Sequence, residues 1–142
     1  MTLQVKQISC DQAKGHAFAI RMRVFVREQG VPADIELDDE DHDAVHFLAT
    51  RGGRPVGTAR LVMHGQNAKI GRMAVLKKHR RKGIGAALLK HGIAAAKCRG
   101  ARKIFLHAQV PVVGFYEKMG FRCVGPVFDE AGIAHRKMIL MK

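Results

Sequence analysis

Tryptophan is absent from this chain, and tyrosine occurs once, at Tyr116. Proteins that grip single-stranded nucleic acid stack bases on several exposed rings, so that mode has little to work with here. Cysteine is scarce: Cys10, Cys98 and Cys123 are odd in number and far apart. They make neither a disulfide framework nor a metal-ligand spacing, and read as buried free thiols of a reducing, cytoplasmic setting. No apolar run is long enough to cross a bilayer, which points away from a membrane. The opening Met1-Thr2-Leu3-Gln4-Val5-Lys6-Gln7 lacks the basic-then-apolar order of a secretory leader. Acids are almost missing from most of the chain. Residues 44–142 carry twenty Lys and Arg against three acids, whereas residues 34–43 hold seven of the twelve acids and no Lys or Arg. With a net charge of +13, the basic body fits an anionic partner. Nucleic acid, anionic lipid and a phosphorylated cofactor all satisfy that description. The acidic stretch reads as a solvated loop or short helix, and its spacing does not match a calcium-binding loop, so no metal site is expected.

What is present is a strand, a basic turn and a helix in sequence. Lys69 to Leu76 is a short apolar run, Lys77 to Lys82 is cationic apart from His79, and Gly83 and Gly85 open a helical stretch. Glycines let backbone approach an anion, and the first turn of a helix offers unpaired N–H groups at its positive end. Arg and Lys beside it suit a pyrophosphate. The turn is neither of two common phosphate loops. No Gly-x-x-x-x-Gly-Lys-Ser/Thr run exists, and the third glycine of a dinucleotide fingerprint is replaced by Leu88. A flexible basic surface turn remains the plainer reading of these residues alone.

The chain of 142 residues suits a single domain over 1–142. Residues 2–8 alternate as a strand. Asp11 is the expected cap of a helix from about 12 to 29, ended by Gly30-Val31-Pro32. Strands are expected over 44–50, 55–63 and 69–76, joined by Gly52-Gly53 and Gly65-Gln66-Asn67. A helix runs from Gly83 to about Arg99 and stops at Gly100. A buried strand covers 103–109, a short helix 111–119, and a final strand pair 121–128 and 133–141. The order predicts an α+β fold on a mixed, mostly antiparallel sheet flanked by helices.

Two stretches together carry a resemblance. Arg80-Arg81-Lys82-Gly83-Ile84-Gly85-Ala86 resembles the Gln/Arg-x-x-Gly-x-Gly/Ala signature of the GNAT superfamily of acyl-CoA N-acyltransferases. About thirty residues on, Gln109-Val110-Pro111-Val112-Val113-Gly114-Phe115-Tyr116-Glu117-Lys118-Met119-Gly120-Phe121 resembles that superfamily's Asn-x-x-Ala-x-x-Leu-Tyr-Glu-Lys-x-Gly-Phe segment. Arg23 to Gln29, Glu36-Leu37-Asp38, Asp43 to His46 and Gly132 to His135 are similar to its YjcF/ElaA-like branch.

The resemblance implies a GNAT-like fold with a V-shaped opening between the two central parallel strands, 69–76 and 103–109. It implies an acetyl-CoA-dependent N-acetyltransferase that moves an acetyl group to a primary amine by direct attack in a ternary complex. Acetyl-CoA would meet Met73, Ala74 and Val75 along its pantetheine arm. Arg80, Arg81, Lys82, Gly83, Ile84, Gly85 and Ala86 would hold its pyrophosphate, with Lys77 and Lys78 near the nucleotide phosphate. Gln109, standing where the family usually has Asn, and Phe115 would add contacts. Tyr116 would serve the departing thiolate as catalytic acid, while Phe25 and Glu28 would line the acceptor side. The family's usual strand glutamate is missing near Gly71, which leaves the base open among Glu28, Glu36, Asp38, Asp39, His46, His107 and a water relay. The acidic loop could attract a cationic amine. The acceptor would be a small-molecule or peptide amine, with no nucleic acid or membrane involved and homodimerisation left open. A basic nucleic-acid-binding module and a non-catalytic CoA-binding sensor stand as alternatives.

Overall fold

Gly52 and Gly53 both take positive φ, 58° and 80°, a region that favours glycine, and they turn β2 (Val45–Arg51) into β3 (Arg54–His64). Gly65, at φ 63°, does the same between β3 and β4 (Asn67–Val75). The computed structural model describes residues 2–141, so Met1 and Lys142, the ends of the expected 1–142 unit, lie outside the described residues. β1 (Leu3–Ile8) pairs antiparallel with β2, and β5 (Lys103–Gln109) lies parallel to β4. β6 (Phe121–Glu130) and β7 (Ile133–Leu140) close the far side. The described residues form one seven-stranded sheet in the order β1-β2-β3-β4-β5-β7-β6. The expected α+β class and mixed sheet are both observed.

α4 (Ile84–Cys98) joins β4 to β5 and covers one face of the sheet. Its buried residues are Ile84, Leu88, Leu89, Gly92 and Ala96, spaced as one helical stripe. Close packing is allowed by Gly57 on β3. A Cβ there would lie 3.1 Å from Leu88 and 3.2 Å from Ile84, tighter than ordinary contact. The main core gathers Phe47, Val56, Leu61, Ile70, Leu106 and Met138 against this helix.

The other face is covered differently from expectation. The predicted helix over 12–29 is three pieces. Ser9, not Asp11, caps α1 (Cys10–Ala13), through a reciprocal pair of hydrogen bonds with Gln12. The chain turns at Lys14 and Gly15, and α2 (His16–Arg21) follows. Residues Met22–Glu28 then widen into a π-helical segment, with the Gln29 N–H reaching back five residues to the Val24 carbonyl. Ala13, Ala17, Ile20 and Val24 bury this face against Ile8, Leu48 and Ala74.

The acidic stretch is no solvated loop. It forms α3 (Ala33–Glu36) and a short 3₁₀ turn, Asp39–His42, and it buries Glu36 and Asp41. The thiols also differ from expectation: Cys98 is exposed, and Cys10 and Cys123 are half-buried. α5 (Val113–Lys118) packs between β5 and β6, following a 3₁₀ turn at Val110–Val112.

Candidate active site

β4 and β5 pair only where Asn67, Ala68 and Lys69 face Lys103, Ile104 and Phe105. Beyond that the strands part, and a cleft of about 590 Å³ opens between them. A bulge shapes the β4 lip. Thr58 faces Ala74 and Arg60 faces Gly71, so Arg72 and Met73 together stand opposite Ala59. Arg72 takes φ 50°, a left-handed conformation uncommon outside glycine.

An ion network holds that strained residue. Arg72 Nη2 lies 3.0 Å from Asp38 Oδ2, and its Nε lies 3.3 Å from Glu36 Oε2. Arg21, only 1% exposed, bonds Glu36 Oε2 at 2.8 Å and Asp41 Oδ1 at 2.7 Å. Arg60 bonds Asp38 Oδ1 at 2.7 Å and Asp41 Oδ1 at 3.1 Å. Burial pushes the Glu36 carboxyl up, outweighing the lowering by Arg72 and Arg21. Burial also acts on Asp41, yet the bonds and charge of Arg21 and Arg60 hold it below the ordinary carboxylate range. Glu36, Asp38 and Asp41 are therefore bound by arginines from α2, β3 and β4, while Asp34, Asp39, Glu40 and Asp43 stay exposed.

Tyr116, on α5, lines the cleft. Its ring sits edge-on to Phe115 and Phe121, with centroids 5.0 and 6.2 Å away. Burial raises its hydroxyl to about 12, so the group stays protonated and remains a hydrogen donor at neutral pH. Across the cleft, His107 Nδ1 lies 2.9 Å from Glu130 Oε1. The hydrogen bond from His107 pulls the Glu130 carboxyl down to about 2, against desolvation. His135 Nδ1 lies 2.7 Å from the Ile133 carbonyl, and its Nε2 is 3.7 Å from Glu130 Oε2.

Met73, Ala74, Val75, Arg80, Gln109, Phe115 and Phe25 line the same cleft. Arg81, Lys82, Gly83, Ile84, Gly85 and Ala86 lie beside it, on the turn and first turn of α4. Gly83 takes φ 78° and Arg81 φ 62°. The first helical bond runs from the Ala87 N–H to the Gly83 carbonyl, so the N–H groups of Ile84, Gly85 and Ala86 precede it. A Cβ on Gly85 would lie 3.6 Å from Phe115 and 4.0 Å from the Met73 methyl, which ties this helix start to the cleft.

A cleft between splayed parallel strands, a tyrosine on one wall and a glycine turn at a helix start are the parts that the resemblance implies, and the bulged lip is added by the structure. The acetyltransferase (GNAT) domain model matches residues 9–142. The chain belongs to the GNAT acetyltransferase family. It is 40% identical to the N-acetyltransferase YjcF of Bacillus subtilis over 124 residues, covering 87% of this chain and 89% of YjcF. ElaA of Escherichia coli is 31% identical over 121 residues, 82% of this chain and 79% of ElaA. The crystal structure of an acyl-CoA N-acyltransferase from Pseudomonas aeruginosa superposes with a TM-score of 0.85 at 27% identity, covering 99% of this chain and 100% of that one. The expected YjcF/ElaA-like branch and GNAT fold both hold.

Within this acetyltransferase the expected residues are differently engaged. Arg80 bonds both oxygens of Glu28 at 3.0 Å and donates to the Val75 carbonyl at 2.8 Å. Glu28 thus faces Arg80 and is not among the cleft-lining residues. Gln109 pairs amide to amide with Gln29, at 2.8 and 3.2 Å, bridging β5 to the end of the π segment. Lys77, Lys78, Arg80, Arg81 and Lys82 are exposed. Of the open base candidates, His46 is buried against the Asp41 carbonyl at 2.9 Å, Glu36 and Asp38 are held by arginines, and Asp39 is exposed. Glu130, His135 and Lys69 line the cleft and were missed by sequence reasoning. The one available signal was strand alternation, which places Phe128 and Glu130 on a single face of β6.

Proposed function

We propose that the protein uses acetyl-CoA to acetylate a primary amine by direct attack in a ternary complex. The observation that carries this reading is the convergence of the bulged β4 lip, Tyr116 and the α4 start on one cleft. The acyl-CoA N-acyltransferase activity named for the Pseudomonas relative supports an acyl-CoA donor.

Acetyl-CoA supplies an activated acyl carbon and a good leaving group. In this reading the N–H groups of Arg81 to Ala86, with the Arg80, Arg81 and Lys82 side chains, bind the pyrophosphate. Arg80 must leave Glu28 to do so, an exchange between two exposed sites that is small in energy. Met73, Ala74 and Val75 offer backbone groups freed by the strand splay, and an N–H from Ala74 or Val75 faces the developing oxyanion. Gln109 and Phe115 bound the thiol end. Tyr116 donates a proton or hydrogen bond to the departing sulfur. The ends of the cleft hold donor and amine together, so attack becomes effectively intramolecular. Phe25 lines the acceptor end.

Release of CoA thiol from acetyl-CoA, followed across a panel of amines, tests the reading. Amine-dependent release with a matching acetylated product by mass spectrometry is expected. Binding of CoA without release by any amine would favour a CoA-binding sensor.

A further inference from the structure

The proposed reaction requires a group that takes a proton from the acceptor amine, and β4 carries no carboxylate to do it. Lys69 and Phe105 are partners in the parallel pairing of β4 and β5. Two residues further, where the strands part, Gly71 and His107 stand level on the two lips of the cleft. A Cβ built on Gly71 meets nothing within 4 Å, so the space before it is open. Both residues line that cleft.

The His107 ring is held in one orientation. A carboxylate only accepts hydrogen bonds, so Nδ1, at 2.9 Å from Glu130 Oε1, bears the hydrogen. In the neutral ring the other nitrogen, Nε2, then keeps its lone pair. Phe128 meets the ring edge-on at 5.0 Å and stacks on His135 at 5.9 Å, which fixes both imidazoles. The charged groups around His107 come from three other strands: Glu130 on β6, His135 and Lys137 on β7, and Lys69 on β4. Of the competing bases, Glu36 and Asp38 are held by arginines and His46 is buried against the Asp41 carbonyl, while Glu28 and Asp39 are not among the residues that line the cleft.

We infer that His107 Nε2 is the proton acceptor for the amine, with Glu130 as the positioning residue that sets its tautomer. This rests on the proposed acetyl transfer. The ammonium of the acceptor gives one proton to His107. The freed nitrogen pair forms the carbon–nitrogen bond as the carbon–sulfur bond breaks. The thiolate takes a proton from Tyr116, which regains it from the nitrogen through solvent, and the imidazolium releases its own to solvent. Amide, free thiol and one proton result.

The test uses wild type, His107→Gln, His107→Asn and Glu130→Gln, with acetyl-CoA and n-butylamine as probe. Calorimetric titration with acetyl-CoA should give all four similar affinity. Amine-dependent thiol release by either His107 variant should fall about 100-fold at neutral pH and recover as pH approaches the ionisation of the amine itself. Glu130→Gln should keep part of the rate and shift the acid limb of its pH profile. Two-bond proton–nitrogen NMR should show the Nδ1–H tautomer for His107 in wild type and its loss in Glu130→Gln. Several results overturn the inference: His107 variants within about threefold of wild type, wild type that binds acetyl-CoA but gives no release with the probe, or an Nε2–H tautomer. A wild type that fails to bind acetyl-CoA instead overturns the proposed acetyl transfer.

Discussion

In the proposed reaction Tyr116 serves the chemistry and Gly83 the binding of acetyl-CoA. Tyr116 has a hydroxyl pushed up by burial to about 12 and a ring edge-on to Phe115 and Phe121. Tyr116→Phe removes one oxygen and little packing, so turnover should drop about 100-fold while acetyl-CoA affinity stays within twofold. Unchanged turnover removes Tyr116 from the acid role. Gly83 has φ 78° at the N-terminal boundary of α4, and a Cβ there would meet no atom within 4 Å. The obstacle to a side chain is backbone strain, not space. Gly83→Asp adds strain and a negative charge where the account places a pyrophosphate. Loss of acetyl-CoA binding with the protein still folded is expected, and retained binding would mean that the phosphates lie elsewhere. Tyr116 and the glycine turn were both legible in the sequence because their motifs are local. Glu130 was not, since its partner His107 lies twenty-three residues away on another strand.

At the scale of elements, the acidic segment acts as a clasp. Arg21 on α2 reaches Glu36 and Asp41, while Arg60 and Arg72 bring β3 and β4 to the same carboxylates. Removing one partner of such a buried set leaves uncompensated charge, which is worse than removing the set. Arg21→Ala should therefore destabilise the fold by about 3–5 kcal/mol, read as a drop in denaturation midpoint. A loss below about 1 kcal/mol would show that the network is not buried in solution. The sequence could not disclose this clasp. A run of seven acids reads as solvated unless its arginines are known to be near, and they lie at positions 21, 60 and 72. The long helix expected over 12–29 fails for a related reason. Its apolar stripe is real, but Gly15 allows a turn, and the π segment brings Val24, Phe25 and Gln29 to the cleft together. Periodicity alone does not report a break that preserves the buried face. The three-strand meander and α4 were legible because glycines mark their ends, at Gly52-Gly53, Gly65, Gly83 and Gly100.

For the whole molecule, charge and cleft lie close together. Six consecutive residues, Lys77 to Lys82, form a basic turn beside the cleft, and three acids, Glu36, Asp38 and Asp41, are tied to arginines in the clasp. Stability should depend on pH through Glu130. Its carboxyl is held at about 2 in the folded protein against an ordinary 4.5. A depressed folded value means that the stabilisation is complete above 4.5 and fades as pH falls toward 2. Thermal midpoints measured across that interval should fall more in wild type than in Glu130→Gln. Parallel curves for the two proteins would contradict the placement of Glu130 against His107. The molecule's central claim is that the basic turn and the splayed strands together hold acetyl-CoA. Isothermal titration with acetyl-CoA, at low and at moderate salt, tests it most directly. Saturable one-site binding at both salt levels is predicted, because shape and backbone contacts supplement charge in the cleft. No binding at either would contradict it.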